Sequence, residues 1–92
     1  MYLEIVSPEA TLFSGEVTSV TVPGVNGDFQ MLNNHAAIVS LLKDGIVKIA
    51  GNIELAENVK DKFSKGENNT LLLKISSGTV EMKDNKIIIL AD

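Results

Sequence analysis

An all-β domain, a flattened antiparallel β-sandwich or barrel, is the fold class the sequence predicts. Three observations carry that prediction. Short runs rich in Val, Ile and Thr recur along the chain, turn-forming Gly, Pro, Asn and Asp separate them, and apolar residues mostly alternate rather than repeat every three or four. With 92 residues the chain holds one domain, 1–92, since about 100 to 200 residues per domain leaves no room for a second core. Hydrophobic residues at 45% against 22% charged give it the apolar content to collapse.

Tyr2–Val6 is the first strand, with Leu3 and Ile5 on one face. Ser7-Pro8-Glu9 then turns the chain, because proline fixes φ and removes a ladder donor. Leu12–Ser14 and Glu16–Val22 follow, parted by Gly15; Val20 and Val22 share a face with Thr18 while Val17 points the other way. Pro23-Gly24 and Asn26-Gly27 close that strand and bracket a loop. Phe29–Leu32 is a short strand, Asn33-Asn34-His35 a turn, and Ile38–Leu42 the next strand. Asp44-Gly45 between apolar runs predicts a hairpin into Ile46–Ala50, the strongest short-range signal in the chain. Thr70–Ile75, Thr79–Met82 and Lys86–Leu90, separated by Ser76-Ser77-Gly78 and Asp84-Asn85, predict a closing β-meander. The segment 51–69 reads two ways. Leu55, Val59 and Phe63 recur on one helical face, so after a strand ending near Ala50 either a short helix or a long hairpin tip fits.

Composition removes several kinds of chemistry. The absence of cysteine eliminates disulfides, thiolate metal sites and a cysteine nucleophile, and a single histidine, His35, cannot build a multi-histidine site. Net charge is −4 with only eight basic residues, spread along the chain, which does not suit nucleic acid. No basic n-region with a following apolar stretch opens the chain, so no signal peptide is expected. The apolar runs Leu71–Leu73 and Ile87–Leu90 are far shorter than the ~20 residues that span a bilayer.

The remaining candidates for chemistry are sparse. Asp28 and His35 flank one strand in a turn-rich region and offer a candidate carboxylate–imidazole pair, yet no serine sits in a Gly-x-Ser-x-Gly elbow. Gly24-Val25-Asn26-Gly27 lacks the Gly-Lys-Ser/Thr ending of a phosphate loop. Asn68-Asn69-Thr70 matches a glycosylation sequon with no export signal to give it meaning. Glu54, Glu57, Asp61 and Glu67, interleaved with lysines, read as a solvated face. No cofactor or metal is expected, and a non-catalytic binding or structural module is what remains. A small carbohydrate- or peptide-binding sandwich is the alternative; aromatic residues at 4% with no Trp speak against it.

The order of the motifs goes further. Leu12-Phe13-Ser14-Gly15-Glu16-Val17, Val20-Thr21-Val22-Pro23-Gly24, Gly27-Asp28-Phe29, His35-Ala36-Ala37-Ile38-Val39 and Leu42-Lys43-Asp44-Gly45-Ile46-Val47-Lys48-Ile49 occur in that sequence, followed by Ser77-Gly78-Thr79-Val80-Glu81-Met82 and Ile89-Leu90-Ala91-Asp92. Together they resemble the epsilon chain of F-type ATP synthases over nearly the whole chain apart from the 51–69 segment. The resemblance implies a non-catalytic central-stalk rotor subunit that binds the gamma subunit and the c-ring, on the cytoplasmic face of the inner (plasma) membrane, and meets that membrane only through the assembled complex. It implies c-ring contacts at Asp28, His35 and Asn33, and gamma contacts at Ser7, Ser40 and Leu42. Val39, Leu41 and Leu42 are expected to divide between the core and the gamma interface, since a strand shows alternate residues to opposite faces. Asp28 could equally cap its own turn through an Asx hydrogen bond. Around the loop histidine, Gln30, Asn33-Asn34 and Ala37 stand where the family commonly has Gly, Pro-Gly and Pro, and 51–69 is longer than the family's usual hairpin. Longer members continue past Leu-Ala-Asp into two helices that restrain ATP hydrolysis, so the resemblance implies that a chain ending at Asp92 does without that brake.

Overall fold

A computed structural model describes residues 1–92 as ten strands and one 3₁₀ turn. In chain order they are β1 (Tyr2–Val6), β2 (Thr11–Glu16), β3 (Ser19–Gly24), β4 (Gly27–Leu32), β5 (Ile38–Leu42), β6 (Gly45–Ala50), the 3₁₀ turn Lys60–Lys62, β7 (Phe63–Lys65), β8 (Thr70–Ile75), β9 (Gly78–Lys83) and β10 (Lys86–Ala91). They hydrogen-bond in the order β2-β1-β10-β9-β5-β3-β6-β8-β7, with β4 on the other side of β3. The sheet curls so that β2-β1-β10-β9-β5 forms one layer and β4-β3-β6-β8-β7 the other. Leu3, Ile5, Ile87 and Ile89 from the first layer and Val20, Val22, Met31, Val47 and Ile49 from the second are fully buried in a single core. The all-β sandwich expected from the sequence is therefore present. One pairing departs from the antiparallel expectation, because β1 runs parallel to β10.

Strand ends follow the turn chemistry closely, with two exceptions. β2 continues through Gly15, where a Cβ would sit 3.3 Å from the tip of the Phe13 ring. The chain breaks instead at Val17-Thr18: Val17 enters the core and Thr18 faces solvent, the reverse of the expected grouping of Thr18 with Val20 and Val22. Pro23-Gly24 lies inside β3, where the Pro23 carbonyl accepts from Lys43 N–H at 2.9 Å, and the loop proper is Val25-Asn26.

The hairpin expected at Asp44-Gly45 does not form. β5 and β6 both run antiparallel to β3, with Gly24 opposite Leu42 and Thr21 opposite Lys48, so the chain passes from one layer to the other without reversing. Neither Asp44 nor Gly45 takes the positive φ a two-residue hairpin turn requires. Gly45 is glycine for another reason, since a Cβ there would lie 2.6 Å from Pro23 Cβ. The expected meander is likewise replaced. β8 pairs with β6 and β7, and β9 pairs with β5 and β10, so Ser76-Ser77 carries the chain round the same corner. Leu42 opposite Gly78 and Gly45 opposite Ile75 keep one register across the bend. β5–β6 and β8–β9 are thus one long two-stranded ribbon folded at its middle, a strand pair that switches sheets at a corner. The tight turn the sequence promised lies elsewhere, at Asp84 (φ 51°) and Asn85 (φ 61°) between β9 and β10.

The segment 51–69 is the tip of that ribbon. β6 ends at Ala50, whose carbonyl accepts from Thr18 N–H at 2.8 Å and from Thr18 Oγ1 at 3.0 Å. No α-helix follows; the short helix reduces to the 3₁₀ turn, and β7 pairs back on β8. Val59 is buried in the core, and Ile53, Leu55 and Phe63 pack against it, so the apolar spacing that suggests a helix here plugs the open side of the sandwich.

Candidate functional site

The residues singled out in the sequence fall on two ends of the molecule. Asp28 sits at the start of β4 opposite Pro23, and Val25, Asn26, Gly27 and Asp28 form an exposed tip. Asn33 and His35 follow the far end of β4. The five residue steps from Asp28 to Asn33 span about 17 Å of extended chain. The structure therefore separates Asp28 from His35, and the carboxylate–imidazole pair does not form.

The far end is held by a compact hydrogen-bonded network. Asn33 Oδ1 accepts from Asn85 Nδ2 at 2.9 Å and from the Met1 amino group at 3.2 Å, while Asn34 N–H donates to Asn85 Oδ1 at 2.8 Å. The Met1 amino group also pairs with Glu16 at 3.2 Å. Asn34 has φ 63°, a left-handed conformation that Asn tolerates and that lets the loop turn without glycine. His35 N–H bonds to the Leu32 carbonyl at 3.0 Å, and its Nδ1 lies 2.7 Å from the Ala36 carbonyl oxygen. Asn33 thus spends its side-chain oxygen on positioning this loop.

The residues expected to meet gamma gather at the other end. Ser7 Oγ donates to the Ala10 carbonyl at 3.1 Å and accepts from Ala10 N–H at 3.2 Å, capping its own turn. Ser40 is half-buried, its Oγ directed to the Leu41 carbonyl at 3.2 Å. Leu42 is 4% exposed and belongs to the core, whereas Leu41 at 62% and Val39 at 73% face outward. The division of these three residues left open by the sequence is settled by the pleat.

Beside Ser7 and Leu42 runs an open groove of about 650 Å³, lined by Val6, Pro8, Val25, Leu41, Thr79 and Leu90, with Asp92. Leu41 opposes Thr79, Thr79 opposes Leu90, and Leu90 opposes Val6, so these side chains form one continuous row across four strands. Leu90 was not among the residues singled out in the sequence, and Leu41 was named only with Val39 and Leu42 as shared between core and interface. Their signal was the unbroken run Ile87–Leu90 and the pairs Ile38-Val39 and Leu41-Leu42: a strand apolar on both faces is one whose outer face asks for cover. No His, Asp and Glu side chains gather in threes, and no helix is long and apolar enough to cross a membrane.

A small curled β-sandwich whose outer face carries an uncovered apolar row presents a surface suited to contact with another protein. Comparison with known proteins places it more narrowly. Residues 1–92 match the family described as ATP synthase, Delta/Epsilon chain, beta-sandwich domain, and the chain belongs to that family. It is 36% identical over 92 residues to the ATP synthase epsilon chain of Campylobacter concisus, covering 100% of this chain and 60% of that one. To the epsilon chain of Chlorobaculum tepidum it is 37% identical over 90 residues, covering 98% of this chain and 86% of that one. The chain therefore spans about 60% of the length of the Campylobacter relatives it matches. Its fold is shared with a chain of the Tetrahymena thermophila mitochondrial ATP synthase central stalk/c-ring structure, at a TM-score of 0.72 and 19% identity over 99% of this chain and 62% of that one. A chain of the Euglena gracilis mitochondrial ATP synthase OSCP/F1/c-ring structure gives 0.72 and 20%, over 97% and 48%.

Proposed function

We propose that this chain is a non-catalytic rotor subunit of the central stalk of an F-type ATP synthase, binding the gamma subunit and the c-ring and so helping couple proton transport to ATP synthesis. It meets the membrane only through the complex, on its cytoplasmic face. The observation that carries this reading is the row Leu41–Thr79–Leu90–Val6, an apolar strip on the outside of a layer whose inside is already filled. Gamma lies over that strip, next to Ser7. Asp28, exposed on the neighbouring tip with no hydrogen bond or ion pair of its own side chain, reaches the polar loops of the c-ring, where a charge-assisted contact contributes on the order of 1 kcal/mol. His35 adds a contact from the loop that Asn33 holds in place. A hydrolytic role for Asp28 and His35 would need the two side chains together, and they stand at opposite ends of β4.

The test is co-purification with a tagged gamma subunit from the same source, repeated with Asp28→Lys against detergent-solubilised c-ring. Stable gamma binding with c-ring attachment weakened by the charge reversal is expected. Failure to bind gamma at micromolar concentration would remove the rotor reading.

A further inference from the structure

The outer face of the β2-β1-β10-β9-β5 layer is graded in three rows. The first is the apolar row through Leu41 and Leu90. One pleat repeat along the strands, about 7 Å, the register sets Val39, Glu81, Ile88 and Glu4 abreast. A further repeat sets Lys83, Lys86 and Tyr2 abreast, with the Lys86 ammonium 5.7 Å from the centre of the Tyr2 ring. Glu4 and Glu81 flank Ile88 two strands apart, about 10 Å from each other. The ion pairs of the molecule are Met1–Glu16, Lys60–Glu57 and Lys74–Asp44, so neither Glu4 nor Glu81 is ion-paired within the chain, the nearest lysines on this face lying one pleat repeat away at Lys83 and Lys86.

Covering the apolar row brings a partner over the acidic row as well, and burying two carboxylates without an opposite charge is costly. An anionic lipid surface is disfavoured by that acidic row and by a net charge of −4. Resting on the central-stalk reading, we infer that the stalk polypeptide seated on this face is graded in the same order. It sets an apolar side chain over Leu41 and Leu90, a lysine or arginine between Glu4 and Glu81, and acidic character towards Lys83 and Lys86. The apolar row supplies adhesion and the charged rows fix the direction in which the partner lies.

The experiment titrates tagged gamma against the intact chain at a series of salt concentrations, with Glu4→Gln/Glu81→Gln as the variant and Glu54→Gln, on an exposed loop, as the control. The double variant is expected to bind gamma about tenfold more weakly at low salt and to show a flatter salt dependence, while the control behaves like the parent. An unchanged urea midpoint shows that the fold is intact. Gamma binding with unaltered affinity and salt dependence in the double variant would overturn the graded contact and leave the rotor reading standing. Loss of gamma binding by the parent chain would remove both. Binding of the parent to anionic vesicles, or dimerisation of the free chain, that Leu41→Asp abolishes while gamma binding persists would assign this face to another occupant and overturn the inference.

Discussion

Ile89 and Leu90 are neighbours on the same strand, close in size and chemistry, and the fold treats them oppositely. Ile89 is 0% exposed, packed among Leu3, Ile5 and Val80; Leu90 is 53% exposed and opposes Thr79 and Val6 on the outside. The inner face of the layer is satisfied by the chain itself, whereas the outer face carries apolar side chains that the chain leaves uncovered. Stability should therefore depend on the first set and association on the second, although composition does not distinguish them.

The comparison breaks most decisively at Ile89. Ile89→Ala is expected to cost about 2 to 5 kcal/mol, since the core around a fully buried side chain relaxes only partly. Against a total of about 5 to 15 kcal/mol for a small domain, that shifts the urea midpoint far down. The corner comes next. A Cβ on Gly78 would collide with the Leu90 carbonyl, so Gly78→Ala should destabilise by about 1 to 3 kcal/mol in the same assay. Asn85→Ala loses a residue suited to φ 61° and the anchor for Asn33 and Asn34; about 1 to 2 kcal/mol is expected, with faster hydrogen exchange at the Asn34 amide. Leu90→Ala should change stability by no more than about 0.5 kcal/mol, yet weaken gamma binding about tenfold, read by titration. If Leu90→Ala cost as much stability as Ile89→Ala, the two faces would not differ as described.

Much of the fold was legible because local chemistry decides it. Tyr2–Val6 ends at Ser7-Pro8, Ile38–Leu42 ends at Lys43-Asp44, and Thr70–Ile75 runs between Asn68-Asn69 and Ser76-Ser77-Gly78, where turn formers interrupt the apolar runs. What escaped was set by contacts distant in sequence. Asp44-Gly45 looks like a turn until Pro23 is known to press on Gly45, and nothing local separates a strand that reverses from one that bends into the other layer. Leu55, Val59 and Phe63 have helical spacing, but their positions answer to the open side of the core. At the candidate site the order of motifs pointed to β5, yet Leu41 and Leu42 are both leucine, and only the pairing of Leu42 with Gly24 and Gly78 turns one inward and leaves the other outside.

The parallel pairing of β1 with β10 bears on how the molecule comes into being. β1 has partners only in β2 and β10, and in the β1–β10 ladder Tyr2 lies against Lys86 and Val6 against Leu90. A growing chain can form the β1–β2 hairpin early, but it cannot close that layer until the residues through Ala91 have been translated. Until then the inward apolar side of the hairpin, Leu3, Ile5 and Phe13, stands uncovered on the growing chain, open to the aggregation that exposed apolar strands invite.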